Sequence, residues 1–172
     1  MKKVTTLLRG FFLLVCCLAI ASLATAQTNW GGWCYRDYSS DGTFTVPANC
    51  TQLYIEAIGA GGGGGNAVAP SILTPNHTST GTGGGGGAYA RKHVTNPSGN
   101  YTITIGVGGG PAAAGGATTV TGTGCSITAG GGQPGQSDIH GTGSTGTGGS
   151  GGSASGGDAN HSGGRGGKVC DN

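Results

Sequence analysis

Charge is scarce in this chain: Asp, Glu, Lys and Arg together make up 8% of it. A nucleic-acid-binding domain needs a basic stripe or patch, and none is present. Aromatics reach only 6%, with a single Met, so an ordinary thick core of large apolar side chains is excluded. No capping box opens an apolar 3.6-residue period, so no helix is expected beyond the first 26 residues. No strict G-X-Y register with proline occurs, which removes collagen. The missing residues are replaced by glycine, 42 of 172.

The N-terminus has a different character. Met1, Lys2, Lys3 and Arg9 form a basic start without an acid, FFLLVCCLAIASL follows Gly10, and Ala24-Thr25-Ala26 precedes Gln27. This is the layout of a secretory signal peptide over 1–26, cleaved after Ala26. The apolar run is shorter than the roughly 20 residues a transmembrane helix needs. No second run follows, so no membrane span is expected after cleavage, and the product is expected to be secreted or held at the cell surface. Three of the eight basic residues leave with the leader while all six acids remain, which turns the formal charge slightly negative.

Four cysteines follow the leader: Cys34, Cys50, Cys125 and Cys170. An even number in an exported chain reads as disulfides. Three pairings are open; Cys34–Cys50, closing a short loop, and Cys125–Cys170, tethering the tail, are favoured. A zinc site is disfavoured, because no C-x-x-C spacing occurs.

The rest divides by composition. Residues 27–42 hold Trp30, Trp33, Tyr35 and Tyr38, an aromatic segment that either plugs a core or forms a sticky patch; the plug is preferred because Cys34 pins it. Residues 43–140 alternate strand patterns with glycine. Candidate strands are 43–46, 52–58, 88–95, 101–107, 117–121 and 125–129, bounded by Pro47, by Gly61–Gly65 and by the turn at 96–100. The fold class expected is all-β, with short antiparallel strands in a sandwich-like arrangement and glycine-rich rods or loops between them. Residues 141–172 form a Gly/Ser/Thr-rich tail.

The succession TFTVPANCTQLYIEAIGAGGGGG, GGGGGAYARKHV, YTITIGVGGG, GGATTV and ITAGGG resembles the glycine-rich domain of bacterial exported proteins and phage tail-tip adhesins. The resemblance spans about Thr43 to Gly132. It implies short strands joined to stacked polyglycine II rods, with loops at the tip meeting a cell-surface receptor. This chain departs from the pattern in its longer insert at Asn66–Thr82 and in its leader.

The tail speaks to the rod idea independently. Gly143, Gly146, Gly149 and Gly152 recur every third residue, and Gly164 and Gly167 resume the same register. Three residues per turn is the repeat of a polyproline II-type helix. Such a rod has no internal hydrogen bonds, so rods must lie side by side; absent side chains let their backbones approach. A single rod from Gly141 to Gly167 would be roughly 80 Å long at about 3.1 Å per residue, so it must fold back near Ser153-Ala154-Ser155. The competing reading is a flexible tail.

Catalytic and cofactor motifs fail on context. G-x-G-x-x-G starts at Gly59, Gly81, Gly130, Gly141 and Gly146, but no copy joins a strand to a helix as nucleotide binding requires. Gly148–Gly152 spells G-x-S-x-G without the strand-to-helix turn that makes it a nucleophile elbow. Asp138-Ile139-His140 sets an acid beside an imidazole, a pair read as solvated loop residues. Sequons begin at Asn49, Asn76, Asn100 and Asn160. No enzyme, cofactor or metal is expected.

Two functions from different classes stand. The first is adhesion or surface recognition of a glycan or protein. The ligand loop would be Asn66–Thr82, with Ile72, Leu73, Asn76 and His77 as contact residues. Its flanking tracts Gly61–Gly65 and Gly83–Gly87 are expected to pack side by side and bring its ends together. The second is a structural or ice-contacting protein with a flat threonine face, suggested by Thr102-Ile103-Thr104 and Thr119-Val120-Thr121.

Overall fold

The computed structural model describes residues 29–30, 33–34, 36–67, 79–137, 139 and 145–170. Two compact units are present, Met1–Asp37 and Tyr38–Asn172. In the first, β1 (Asn29–Trp30) pairs antiparallel with β2 (Trp33–Cys34).

The second unit carries ten strands among its described residues: β3 (Gly42–Thr45), β4 (Gln52–Ile58), β5 (Tyr89–Thr95), β6 (Asn100–Thr104), β7 (Thr118–Gly122), β8 (Cys125–Ala129), β9 (Thr145–Gly146), β10 (Ala154–Ser155), β11 (Ala159–His161) and β12 (Val169–Cys170). One antiparallel sheet runs β10-β8-β7-β6-β3; a second, β11-β5-β4, packs over it; β12-β9 is a separate ribbon. The fold is thus all-β, as the alternating apolar pattern implies. Strands β4 and β8 have the expected bounds, and β3, β5, β6 and β7 match the expected segments to within three residues at either end.

Period-two patterning decides what faces inward. Tyr101 and Ile103 on β6, Val120 on β7, Cys125, Ile127 and Ala129 on β8, Ala57 on β4 and Ala90 and Val94 on β5 form the core. Several members are alanines, so the two sheets close on small side chains. The largest buried ring is Tyr101, 1% exposed, whose hydroxyl donates to Thr123 O at 2.6 Å in the β7–β8 turn. Gly124, with φ +70°, makes that turn possible without strain.

Beyond the strands the chain continues as six non-strand segments: 59–65, 82–88, 106–116, 130–136, 147–153 and 162–167. They are joined by backbone hydrogen bonds recurring at every third residue. The N–H groups of Gly59, Gly62 and Gly65 donate to the carbonyls of Ala88, Gly85 and Thr82. Those of Thr82, Gly85 and Ala88 donate to Gln136, Gln133 and Gly130, while Gly83 and Gly86 turn to Gly167 and Gly164. Gly149 and Gly152 donate in turn to Gly83 and Gly86. Segment 82–88 therefore bonds to four neighbours at once. Burial repeats with the same period: Thr82, Gly85 and Ala88 are buried while Gly83 and Gly86 are exposed.

The tail is part of this bundle. Ala154 and Ser155 add to the first sheet against Ala129 and Thr128. The chain then reverses, and Gly163 and Gly166 donate back to Gly152 and Gly149. The fold-back near Ser153-Ala154-Ser155 is the one chain length requires, and 145–170 packs in the same unit as 43–137.

Candidate recognition surfaces

The glycine segments leave the strands of the sandwich, and several of their described ends away from it are bonded to one another. Gly61–Gly65 and Gly83–Gly87 are neighbours there: Gly62 N–H donates to Gly85 O and Gly65 N–H to Thr82 O, both at 2.8 Å. The stems of the long insert are thereby held together, as its flanking glycines suggested. Asn66 N–H adds a 2.9 Å bond to Ser137 Oγ, and Thr80 and Ile139 exchange two backbone bonds of 3.0 Å. Ile72, Leu73, Asn76 and His77 lie outside the described residues, as do Asp138 and His140.

Thr82 is the residue that sequence reasoning missed here. It occupies the buried register position otherwise held by Gly85 and Ala88 and is 3% exposed. Its hydroxyl accepts from Gln136 N–H at 2.7 Å and donates to Thr147 O at 3.0 Å. Gln136 Oε1 in turn accepts from Thr147 N–H at 3.2 Å. Three segments are thus tied by side chains where the loops begin. The available signal was the three-residue register, in which Thr82 falls on the row of Gly85. Opposite it, the turn at 110–113 places Ala112 at φ +54° and bonds it to Gly64 O.

No disulfide is present among the described cysteine side chains. Cys50 and Cys125 are free thiols. Cys125 sits in the core at the sandwich end of β8, 6% exposed, its thiol directed at Val120 O. Cys170 pairs with Thr145 at the loop end of the bundle. The path between them runs along β8 and then along segment 147–153, roughly 40 Å at about 3.1–3.3 Å per residue. Cys125 is free and the structure does not show the Cys125–Cys170 pair; the side chain of Cys170 lies outside the described residues. Burial raises the Cys125 thiol pKa above its ordinary value, the largest influence on it. Cys50 Sγ is directed at Gln52 O at 3.2 Å just before β4; the side chain of Cys34 lies outside the described residues.

Two sheet faces are also exposed. On the five-stranded sheet, register aligns Thr43, Thr102, Thr121 and Ser126 in one row and Thr104, Thr119, Thr128 and Ser155 in the next. All eight are exposed or half-exposed. Neighbours are about 4.8 Å apart across strands and about 6.7 Å along them. The three-stranded sheet instead presents rings. Tyr54 stacks on His93 with centroids 4.3 Å apart, and Tyr89 tilts toward His161 at 6.0 Å. The Tyr89 hydroxyl donates to Glu56 Oε1 at 2.8 Å, and that bond raises its pKa. At the opposite margin Asp158 takes Lys92 Nζ at 2.7 Å and the His93 N–H at 2.8 Å. These bonds, that from Lys92 first, hold its carboxyl below the ordinary range. Among the described residues no three His, Cys, Asp or Glu side chains come together as a metal site.

Strands feeding glycine segments that cross-bond every third residue define a glycine-rich β scaffold. Residues 38–171 match the glycine-rich domain family, and the chain belongs to it. No curated protein matches the chain.

Proposed function

We propose that this is an exported, non-enzymatic recognition module whose loop end contacts a cell-surface glycan or protein. The observation that carries the reading is the junction at Gly65, Thr82 and Ile139. There backbone bonds and the Thr82 hydroxyl hold the stems of 66–79 together on a bundle with little freedom left to lose. A loop whose ends are fixed before binding surrenders less entropy on contact. We read the glycine segments as polyglycine II rods, on the strength of their three-residue bonding repeat. Export follows from the 1–26 leader, with the mature chain starting at Gln27. Replacing Ala67–Ser79 by a short Gly/Ser linker tests the reading. Retained folding with lost binding to intact cells supports it; binding that survives the exchange refutes it.

The threonine rows favour a second reading, contact with ice. A flat, two-dimensional array of hydroxyls can order water only if the repeat is regular over several strands, and four adjacent strands share each row. Thermal hysteresis that disappears in Thr102→Lys is the result this reading requires; no hysteresis in the parent protein ends it.

A further inference from the structure

Segment 162–167 is an outer member of the bundle, with Ser162, Gly164, Arg165 and Gly167 exposed. Its Gly163 and Gly166 N–H groups donate to Gly152 and Gly149, and its Gly164 and Gly167 carbonyls accept from Gly86 and Gly83. Methyls on Gly163 and Gly166 would strike the carbonyl oxygens of Gly86 and Gly83, so those two positions must be glycine. Gly164 and Gly167 are different: a methyl on either would meet nothing within 4 Å among the described residues. Internal packing therefore does not require glycine there. The N–H groups of Gly164 and Gly167 also make no hydrogen bond among the described residues. The result is a strip of bare, exposed backbone with unused donors.

Positive charge runs beside this strip. A repeat of three residues per turn puts Ser162, Arg165 and Lys168 on one line, the two cations about 9 Å apart at about 3.1 Å per residue. All three are exposed. Lys92 is held by Asp158, whereas Arg165 and Lys168 have no ion pair or hydrogen bond among the described residues. Rings lie at the start of the same line. His161 on β11 is exposed, and its ring centroid is 6.0 Å from that of Tyr89. Glu56 fixes the Tyr89 hydroxyl and faces Arg91 across β4 and β5, so those two charges offset each other. From His161 to Lys168 the line is about 22 Å long at the same rise.

We infer that this line binds an acidic polysaccharide lying along segment 162–168. A polymer of uronic acids presents apolar C–H faces, hydroxyls and carboxylates in turn, and the line offers a partner for each. The Tyr89 and His161 rings take a C–H face against their π surfaces. The Gly164 and Gly167 N–H groups donate to hydroxyls, which the missing side chains allow to approach. The Arg165 guanidinium accepts a carboxylate in its planar fork, and Lys168 supplies a point charge for the next. A neutral glycan would leave both cations unused. A nucleic acid, with a phosphate at every nucleotide, draws its affinity from many neutralised phosphates, and two cations fall short of that. The bundle that carries the line is already bonded on two sides, so little order is lost on contact. None of these groups belongs to the 66–79 loop, so this contact and the loop reading stand or fall separately.

Affinity electrophoresis of the mature chain through gels containing polygalacturonate or dextran tests this. Polygalacturonate is expected to retard the chain, less so as salt is added, and dextran is not. The double variant Arg165→Gln with Lys168→Gln is expected to bind polygalacturonate roughly tenfold more weakly, the loss of two exposed charge pairs. His161→Ala is expected to weaken binding without changing its salt dependence, because a ring and not a charge is removed. The chain with Ala67–Ser79 replaced by a Gly/Ser linker is expected to bind polygalacturonate as the parent does. Absence of retardation in the parent overturns the inference, as does equal binding by the parent and the double variant. Tighter binding of single-stranded DNA than of polygalacturonate also overturns it, by assigning the line to phosphates. Circular dichroism confirms that each variant is folded before the comparison is made.

Discussion

Gly85 is one of the tightly packed positions in the bundle. Its N–H donates to Gln133 O at 2.9 Å and its carbonyl accepts from Gly62 at 2.8 Å. A methyl group there would be driven into the Ser150 carbonyl oxygen, far inside van der Waals contact. Three segments would have to part to admit it. Overpacking of this kind costs about 1–3 kcal/mol. Loosening the two hydrogen bonds adds about 1–3 kcal/mol, and alanine's stiffer unfolded chain returns about 0.4–1 kcal/mol. Gly85→Ala is therefore expected to destabilise by about 3 kcal/mol, a large share of the roughly 5–15 kcal/mol that holds a domain folded. Gly164 is the control. It lies on the same lattice and accepts from Gly86 N–H, yet a methyl on it would meet nothing within 4 Å. Gly164→Ala should be neutral or slightly stabilising. Denaturant unfolding of both variants measures the difference. Equal midpoints for the two would refute the argument that close backbone approach, rather than glycine content, holds the bundle.

Tyr101→Phe removes the 2.6 Å bond to Thr123 O while leaving the buried ring in place, and should cost about 1 kcal/mol in the same assay. Asp158, whose pKa is depressed chiefly by the Lys92 hydrogen bond, contributes stability that is present above the unfolded carboxylate range. That contribution disappears as pH falls through the lowered folded pKa. Unfolding curves between neutral and acid pH should show a loss that Asp158→Asn lacks; identical acid profiles would contradict it. Cys125 should resist alkylation in the native protein and react only after unfolding, because burial both hides the thiol and disfavours the thiolate. Mass spectrometry after labelling decides this, and labelling of Cys125 in the folded protein would argue against its place in the core.

Local pattern was enough for the strands. Gln52–Ile58 and Cys125–Ala129 are rich in strand formers, and both ends of each are marked by glycine, threonine or a turn. A period of two in the side chains is a property of the strand itself. The period-three glycines after Gly141 likewise pointed to side-by-side rods, and the reversal near Ser153 followed from rod length alone. What lay beyond local pattern was which backbone meets which. Cys125 and Cys170 read as partners because their pairing would tether the tail. Only the tertiary path, strand then glycine segment, shows them far apart. Thr82 read as one more loop threonine until packing put it on the buried row. The two threonine rows needed register across four strands, which no single strand encodes. Hydrophobic alternation and glycine spacing are written residue by residue and survive without the fold. Adjacency between distant segments arises only when backbone hydrogen bonds choose their neighbours.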